Sequence, residues 1–515
     1  MSNDTEPARS PRIDSEGGGR NEGVTRLEAW SYGLALLGYL ALTAIVMWPA
    51  ISDISNTIMG ANQPSDATSG GVWVAWQFAH TQWGATKTAW LGYPQGGPFW
   101  TPTFLTALGW VLPLWILAHV TNPVAAWNIT VALGIVVDAM VMFGLTFWLT
   151  RRRSIAFVAG ILFAFAPFPI VQSHIHVGYV YDWIYPMIVW AALAWIAQPS
   201  RLRAVLFGAS IGGAAYIDGY YIVFAPIMGA VLVVLAVGLA PLVPRARRAL
   251  IPGVAYACAA GVAVALPLAV VLATRSGTVS TLLSGDRTRN AVEANSATIG
   301  EYFVPFRTSP PWNWALTSIF GANVSLPSVT GPCVYLGLSS VVVALGTLAT
   351  VWTPRFTPSL GLRLPDRFVA TAGGVGIILV MLASFATIGP LPGFPKLLWN
   401  IEPFWRSFAR LGEGAVCFAV LCVAMGLVLA SRSRRRWLAP FLALVVIADA
   451  TYILPWSSWS YAANTPPPIQ WLADHPDGGA VAGYPMAPAP LPAYEYYVSF
   501  QEIDHHPLFD IGPKD

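Results

Sequence analysis

Long apolar runs, separated by short polar segments, follow one another along most of the chain. Most of these runs approach the ~20 residues that an α-helix needs to cross the hydrocarbon core of a bilayer. The pattern therefore predicts an all-α polytopic membrane protein. We expect about eleven transmembrane helices, over Ala29–Ile51, Pro123–Thr150, Ser154–Val171, Asp182–Gln198, Ala204–Ile217, Tyr220–Leu242, Leu250–Ala273, Tyr335–Val351, Phe368–Ala386, Gly414–Ala430 and Trp437–Leu454.

One further apolar run, Thr101–Val120, decides the orientation of the chain. Lys and Arg concentrate in the cytoplasmic loops of membrane proteins. If this run lies at the outer interface and the N-terminus is inside, 19 of the 28 Lys and Arg residues fall in cytoplasmic segments. If it spans, Arg151–Arg153 and most later basic clusters fall outside. We therefore place the run at the interface, which predicts a multi-pass protein of the cell membrane with a cytoplasmic N-terminus and an extracytoplasmic C-terminus.

Composition supports this class and excludes others. The chain is 55% hydrophobic and 10% charged, whereas soluble proteins carry about 25% charged residues. A net charge of +3 is too small to indicate nucleic-acid binding. The four cysteines fall mostly inside apolar runs and predict neither a disulfide framework nor a zinc site.

Three regions follow from the distribution of polar residues. Residues 1–28 are polar and are predicted to form a disordered cytoplasmic tail. Residues 29–460 form the transmembrane domain. Residues 461–515 form a short extracytoplasmic segment, too small to bury a core of its own. Within it, Asp504, His505 and His506 are interpreted as a solvated turn rather than a metal site.

The first outer loop carries two acids, Asp53 and Asp66, followed by an aromatic stripe. Spacings of three, four and three residues place the stripe on one helical face. Its members are Trp73, Trp76, His80 and Trp83. Tryptophans beside a membrane favour the headgroup layer, so we expect a helix lying flat on the outer surface with Asp66 at its start. The alternative is an aromatic anchor in which Asp66 only caps the helix.

The second outer loop, SHIHVGYVYDW, brings His174, His176 and Asp182 to the same side of the membrane. Two imidazoles and a carboxylate can bind a divalent cation or a phosphate, although the spacing matches no closed zinc pattern. A solvated loop is the alternative.

The motif YIDGYY sets Asp218 between two predicted spans, beside Tyr220 and Tyr221. A carboxylate among tyrosines offers hydrogen bonds and stacking to a sugar. Asp and Gly also form tight turns without any ligand, which is the alternative for this segment. Asp138 and Asp449 lie inside predicted spans, where we expect interhelical hydrogen bonding.

The fourth outer loop retains cations on the side that usually lacks them: Lys396, Arg406 and Arg410. Arginine forms bidentate hydrogen bonds with phosphate, so these residues predict an anionic ligand. Anchoring to lipid headgroups is the alternative.

This layout resembles the GT-C superfamily of integral-membrane glycosyltransferases, in particular bacterial members of the YfhO-like type. The resemblance lies in the acidic first loop with PSDATSGGVWVAW, the juxtamembrane helices, the His-containing second loop, the YIDGYY turn and PFWRSFAR. It implies a sugar donor linked to polyprenyl phosphate, membrane lipids as partners, and an extracytoplasmic glycan or protein acceptor.

In that family an aspartate of the first outer loop acts as base or metal ligand, which here implies Asp66, with Asp53 in reserve. Cationic side chains that take the phosphate charge would be His174, His176, Arg406 and Arg410. Asp182, Asp218, Tyr220 and Tyr221 would complete the substrate site. The first loop lacks a paired D-x-D or E-x-D, so a divalent cation remains an open cofactor and the metal ligands stay unassigned.

Two other functions remain open at this point. A transporter or flippase for a lipid-linked or anionic solute would fit the same composition, but transporters commonly show internal repeats and none is evident here. A non-catalytic envelope assembly factor would keep the fold and tolerate Asp66→Asn.

Overall fold

The structure, a computed structural model, describes residues 18–59, 71–91, 93–99, 102–173, 177–244, 247–274, 289–304, 334–353, 359–401, 405, 407–453, 458–460, 465, 467–475, 479–481, 501, 503 and 505. Its helices are α1 Gly18–Val46, α2 Trp73–His80, α3 Leu108–Ala118, α4 Pro123–Thr150, α5 Arg153–Ala164, α6 Pro167–Gln172, α7 Ile184–Ala197, α8 Arg201–Ala214, α9 Tyr221–Gly238, α10 Arg247–Thr274, α11 Arg289–Ala294, α12 Ile299–Phe303, α13 Leu338–Trp352, α14 Asp366–Ser384, α15 Phe394–Trp399, α16 Glu413–Ser431, α17 Leu438–Ala450 and α18 Pro467–Ala473. Short strands are β1 Thr57–Met59, β2 Lys87–Thr88, β3 Gly97–Pro98, β4 Thr387–Ile388, β5 Leu391–Pro392 and β6 Ser458–Ser460.

Six helical segments of the described residues are long and apolar enough to cross a membrane: Ala29–Val46, Pro123–Thr150, Tyr221–Gly238, Leu250–Thr274, Asp366–Ser384 and Phe408–Ser431. Five shorter apolar helices occupy Phe104–Ala118, Arg153–Ala164, Ile184–Ala197, Leu338–Trp352 and Leu438–Ala450. The predicted mostly helical, multi-pass character is therefore confirmed. The count of about eleven crossings, the interfacial position of Thr101–Val120 and the orientation of the termini stay predictions.

Most predicted spans differ from the observed helices by a few residues at their ends, and two differ by more. The predicted span Ser154–Val171 is divided into α5 and α6, because Pro167 cannot donate the hydrogen bond that would continue the helix and instead occupies the first turn of a new one. Helix α1 begins at Gly18, within the predicted disordered tail, since extending a helix costs far less than nucleating it. Residues 1–17 lie outside the described residues.

Helix α16 is the centre of the bundle. Of its spanning window, 89% is buried inside the protein, against 11% for α10, which faces the lipid side. Around α16 pack α5, α7, α13, α14 and α17. Helices α8 and α10 approach closely, because a Cβ at Gly208 would lie 1.9 Å from the carbonyl oxygen of Ala257. Small residues allow such contacts between membrane helices.

Asp449 is held by the interhelical hydrogen bonds that the sequence predicted. Its carboxylate accepts from the Tyr335 hydroxyl at 2.6 Å and from the Ser339 backbone N–H and hydroxyl, both at 2.6 Å. These bonds join α17 to the start of α13. Asp449 therefore has a structural role. Among the described residues, Cys258, Cys417 and Cys422 are free cysteines; Cys333 lies outside the described residues.

The aromatic stripe of the first outer loop lies mostly on helix α2, and only half of it is buried, because His80 and Trp83 are exposed. Trp73 and Trp76 are 9% and 2% exposed. The ring centroids of Trp76 and Trp90 lie 4.8 Å apart, and those of Trp73 and Phe99 lie 6.0 Å apart. The loop folds back over the start of α2, so the expected headgroup environment is wrong for Trp73 and Trp76, which pack inside the protein.

Candidate functional site

A cluster of acidic side chains lies where α16 begins and where two outer loops meet it. It consists of Asp138 on α4, Asp182 before α7, Asp218 between α8 and α9, and Glu413 at the start of α16. We call these four residues the acidic cluster. Asp138, Asp182 and Glu413 are buried, and Asp218 is half-buried. Burying carboxylates is costly unless each gains a partner, so the partners of these groups indicate what the site can do.

Asp182 is held between three elements of the fold. One of its carboxylate oxygens accepts a hydrogen bond from the Tyr221 hydroxyl at the start of α9. The neighbouring backbone N–H of Trp183 donates to Asp138 of α4 at 2.6 Å. Burial raises the pKa of Asp182 well above its ordinary value, and the Tyr221 hydrogen bond opposes that rise only in part.

Several oxygens of the acidic cluster point into the interior without a partner. Among the described residues, one carboxylate oxygen of Asp138, one of Asp182 and both of Glu413 have no hydrogen-bond partner. An unsatisfied buried acceptor costs about 1–3 kcal/mol. Groups kept at such a cost are candidates for binding a ligand, a proton or a cation.

Asp218, a member of the acidic cluster, also forms the predicted tight turn. One of its oxygens accepts from the backbone N–H of Tyr220 at 3.0 Å. Its other oxygen lies so close to the second outer loop that a Cβ at Gly178 would stand 2.2 Å away. Burial raises the pKa of Asp218, while the Tyr220 N–H and the charge of Arg410 lower it.

Arg410 is the cation of the site and is held by aromatic rings. Its guanidinium carbon lies 4.1 Å from the ring centre of Tyr179 and 5.2 Å from that of Tyr220. Nη1 donates to the Tyr179 hydroxyl, and the Tyr220 hydroxyl donates to Ser407 Oγ at 3.3 Å. The side chain remains partly exposed. A guanidinium fixed in this way keeps further N–H donors for an anion.

Five predicted site residues are brought together by this geometry: Asp182, Asp218, Tyr220, Tyr221 and Arg410. Asp66, His174, His176 and Arg406 were predicted with them, but they lie outside the described residues.

Two other predicted residues serve local contacts. Asp53 is exposed, and its two oxygens accept from Asn56 at 2.9 Å and from Thr57 at 3.1 Å, the pattern of a turn cap. No contact in the described part of the chain brings it to the acidic cluster. Lys396 of α15 forms an ion pair with Glu293 of α11 at 2.5 Å, so its charge joins two short helices. Binding of an anionic ligand by the cations of the fourth outer loop stays a prediction.

Sequence reasoning missed Glu413 and Tyr179. Glu413 stands at the first position of a long apolar helix, where a lone acid could have been noticed as unusual. Tyr179 is separated from Arg410 by 231 positions, so the pattern of the second loop gave no sign of the contact. Within the described residues, no three His, Cys, Asp or Glu side chains are grouped so that they could hold a metal ion.

No protein-family model matches the sequence, and no curated protein matches it. Several solved structures are similar to most of the chain. The Archaeoglobus fulgidus oligosaccharyltransferase, in complex with zinc and sulfate, is 14% identical, with 92% of this chain and 61% of that chain covered and a TM-score of 0.47. Arabinofuranosyltransferase AftD from Mycobacteria is 16% identical, with 89% of this chain and 29% of that chain covered and a TM-score of 0.47.

ArnT from Cupriavidus metallidurans, bound to undecaprenyl phosphate, is 14% identical, with 93% of this chain and 86% of that chain covered and a TM-score of 0.40. The chain spans less than two thirds of the oligosaccharyltransferase and less than one third of AftD. All of these TM-scores are below 0.5, so the matches assign neither a superfamily nor an activity to this chain. Its function is inferred from its own residues.

Proposed function

We propose that this chain is a membrane glycosyltransferase that takes a sugar from a polyprenyl-phosphate-linked donor and transfers it to an extracytoplasmic acceptor of the cell envelope, a glycan or a protein. The observation that carries the proposal is the Arg410 guanidinium, which lies over two tyrosine rings beside the acidic cluster and retains free N–H donors. An oriented cation next to hydrogen-bonding acids is suited to a ligand that carries both a phosphate and a sugar.

Arg410 would bind the phosphate of the donor. When the bond between the sugar C1 and the phosphate oxygen breaks, the leaving polyprenyl phosphate gains negative charge. A preorganised guanidinium stabilises that charge in the transition state more than in the ground state. The tyrosine rings of residues 179 and 220 would keep the guanidinium in place, so little reorganisation is needed during the reaction.

The acids and tyrosines would orient the sugar and activate the acceptor. Asp182 and Asp218 offer carboxylate oxygens to sugar hydroxyls, and Tyr220 and Tyr221 offer ring faces and hydroxyls. We assign removal of the acceptor hydroxyl proton to Asp66 of the first outer loop. The acceptor oxygen then bonds to C1, and polyprenyl phosphate departs. If a divalent cation takes part, it would assist the phosphate or the Asp66 carboxylate.

An apolar groove beside the site supports a lipid-linked donor. It lies between α8, α9 and α10, has a volume of about 460 Å³, and is lined by Ala215, Ile222, Pro226, Val233, Val254 and Val262. Ala215 and Ile222 stand within one turn of the Asp218 loop, and Val262 is 64% exposed on the lipid side. An isoprenoid chain could therefore remain in the groove while its phosphate reaches Arg410.

The test is transfer of radiolabelled sugar from polyprenyl-phosphate donors in membranes that contain the wild type, Asp66→Asn or Asp53→Asn, with and without a chelator. We expect Asp66→Asn to abolish transfer, and Asp53→Asn to retain it because that carboxylate caps a turn. If both variants transfer as fast as the wild type, the assignment of the base is wrong. Wild-type protein that moves a lipid-linked sugar across vesicles without transferring it would indicate a flippase, and neither activity would indicate an assembly factor.

A further inference from the structure

Two described parts of the chain that follow the last apolar helix, strand β6 and Gln501, contact the first outer loop. Strand β6 pairs antiparallel with β1, and Thr57 stands opposite Ser460. Since β1 follows the first span directly, both strands lie on the same side of the membrane. The two segments are separated by about 400 positions in the sequence, so this pairing joins the first outer loop to the region that follows the last apolar helix.

Gln501 is the main polar contact of this tail. It is 0% exposed. Its Oε1 accepts a hydrogen bond from Trp73 Nε1 at 2.7 Å, and its Nε2 donates to the carbonyl oxygen of Trp90 at 2.7 Å. One amide therefore joins the start of α2 to the segment that returns over it. Near by, the ring centroids of His505 and Trp76 lie 5.9 Å apart.

The first outer loop connects this tail to the candidate site through packed side chains. Phe78 of α2 packs against Phe104, with ring centroids 5.9 Å apart. The segment that begins there leads into α3. A Cβ at Gly219, next to Asp218, would lie 3.3 Å from Thr106 Oγ1, and the Gly109 N–H donates to the Tyr216 carbonyl oxygen at 3.1 Å.

We infer that strand β6 and Gln501 act as a strap that positions the first outer loop beside the acidic cluster, with Gln501 as the positioning residue. Gln501 touches no reacting group, so it acts through Trp73, Trp90 and the packed loop beneath them. The effect on catalysis rests on the proposed function, whereas the effect on the order of the loop does not. Misplacing a catalytic loop by about 1 Å can lower the rate by up to 100-fold.

The first test compares Gln501→Ala with Gln470→Ala, an exposed glutamine of the same C-terminal segment. We expect amide hydrogen exchange over Trp73–His80 to be faster in Gln501→Ala and unchanged in Gln470→Ala. In the transfer assay, kcat should fall about 10-fold while the KM for the lipid donor stays within about two-fold, because Arg410 does not contact the strap.

Unchanged exchange in Gln501→Ala would overturn the strap itself. Faster exchange with an unchanged kcat would overturn the positioning role and leave a purely structural contact. If the wild type transfers no sugar, the proposed function fails. Hydrogen exchange and a disulfide cross-link between β1 and β6 still test the strap, because neither measurement depends on sugar transfer.

The second test locks the strap. In a background whose native cysteines are replaced by alanine, Thr57→Cys and Ser460→Cys stand directly opposite across the strands and should form a disulfide on mild oxidation. Thr57→Cys with Ser458→Cys, two positions out of register, is the control and should cross-link poorly. We expect the locked protein to keep its activity. Equal cross-linking of both pairs would contradict the register, and loss of activity on locking would show that the segment must open and is a gate instead.

Discussion

Tyr221 donates a hydrogen bond to the buried carboxylate of Asp182, joining the start of α9 to the loop that precedes α7. The ring of Tyr221 lies edge-on to that of Tyr185, with centroids 5.5 Å apart, and the Tyr185 hydroxyl donates to the Arg410 carbonyl oxygen at 3.4 Å. A single run of contacts therefore connects the acidic cluster to the segment that carries the cation. Changes to Asp182 should affect both the stability of this region and its dependence on pH.

The first prediction concerns Asp182→Asn and pH. Because burial raises the pKa of Asp182, the folded protein retains this proton to a higher pH than the unfolded chain does. The contribution of the group to stability is therefore greatest at low pH and is lost as pH rises through the raised pKa. Asparagine can accept the Tyr221 hydrogen bond but does not ionise, so the Tm of the variant relative to wild type should increase with pH above the usual range of Asp titration.

Thermal unfolding in detergent across that pH range measures the effect. Asp474→Asn, at an exposed carboxylate of the C-terminal segment, is the control and should differ from wild type by a small, constant amount. A Tm difference for Asp182→Asn that does not change with pH would contradict the prediction.

The second prediction concerns the Tyr179 hydroxyl. Tyr179→Phe removes the acceptor of the Arg410 hydrogen bond but keeps the ring beneath the guanidinium. One hydrogen bond to a charged group contributes about 1.5–3 kcal/mol, so we expect kcat/KM for the lipid donor to fall by about 10-fold or more. Tyr256→Phe is the matched control, because Tyr256 stacks with Arg201 at 5.5 Å on α8 and α10, away from the acidic cluster. Equal kinetics of the two variants would show that the hydroxyl does not position Arg410.

The third prediction separates structural from functional acids. Asp449→Ala leaves the Tyr335 hydroxyl and both Ser339 donors without their acceptor. We expect a loss of stability of about 2–4 kcal/mol, measured as a lower Tm, with unchanged transfer per folded molecule. A variant that is as stable as wild type but inactive would assign Asp449 to the site instead.

The fourth prediction tests the orientation. Ser52 and Ser154 are both exposed and stand on the two sides that the basic loops predict. Without the native cysteines, Ser52→Cys should react with an impermeant thiol reagent in intact cells, and Ser154→Cys should react only after permeabilisation. Labelling of Ser154→Cys from outside would reverse the orientation and move the candidate site to the cytosol.

Much of the fold could be predicted from the sequence, because apolar runs of about 20 residues have few structures open to them in a membrane. The predicted span Ser154–Val171 shows that hydropathy alone does not fix the helix boundaries. It is apolar throughout, yet Pro167 divides it into two helices. The headgroup environment predicted for the tryptophan stripe was wrong for Trp73 and Trp76, because the sequence does not reveal that Gln501 and Trp90 cover these two side chains.

The site was predicted where chemistry is local and missed where it depends on distant contacts. Asp218, Tyr220 and Tyr221 are neighbours in one motif. The cations of the fourth outer loop could be recognised because Lys and Arg are usually rare in extracytoplasmic loops. Arg410 meets Tyr179, and Glu413 approaches Asp182, only in the folded chain, because each pair is separated by more than 200 positions in the sequence.

The most direct test of the account replaces the cation of the site. Arg410→Gln and Arg363→Gln both remove an arginine stacked on an aromatic ring, since Arg363 lies 5.3 Å over Trp148, away from the acidic cluster. In membranes with a radiolabelled polyprenyl-phosphate sugar, we expect kcat/KM of Arg410→Gln to fall about 100-fold, as for loss of a charge-assisted phosphate contact, and Arg363→Gln to match wild type. Wild-type rates in Arg410→Gln would contradict the proposed site.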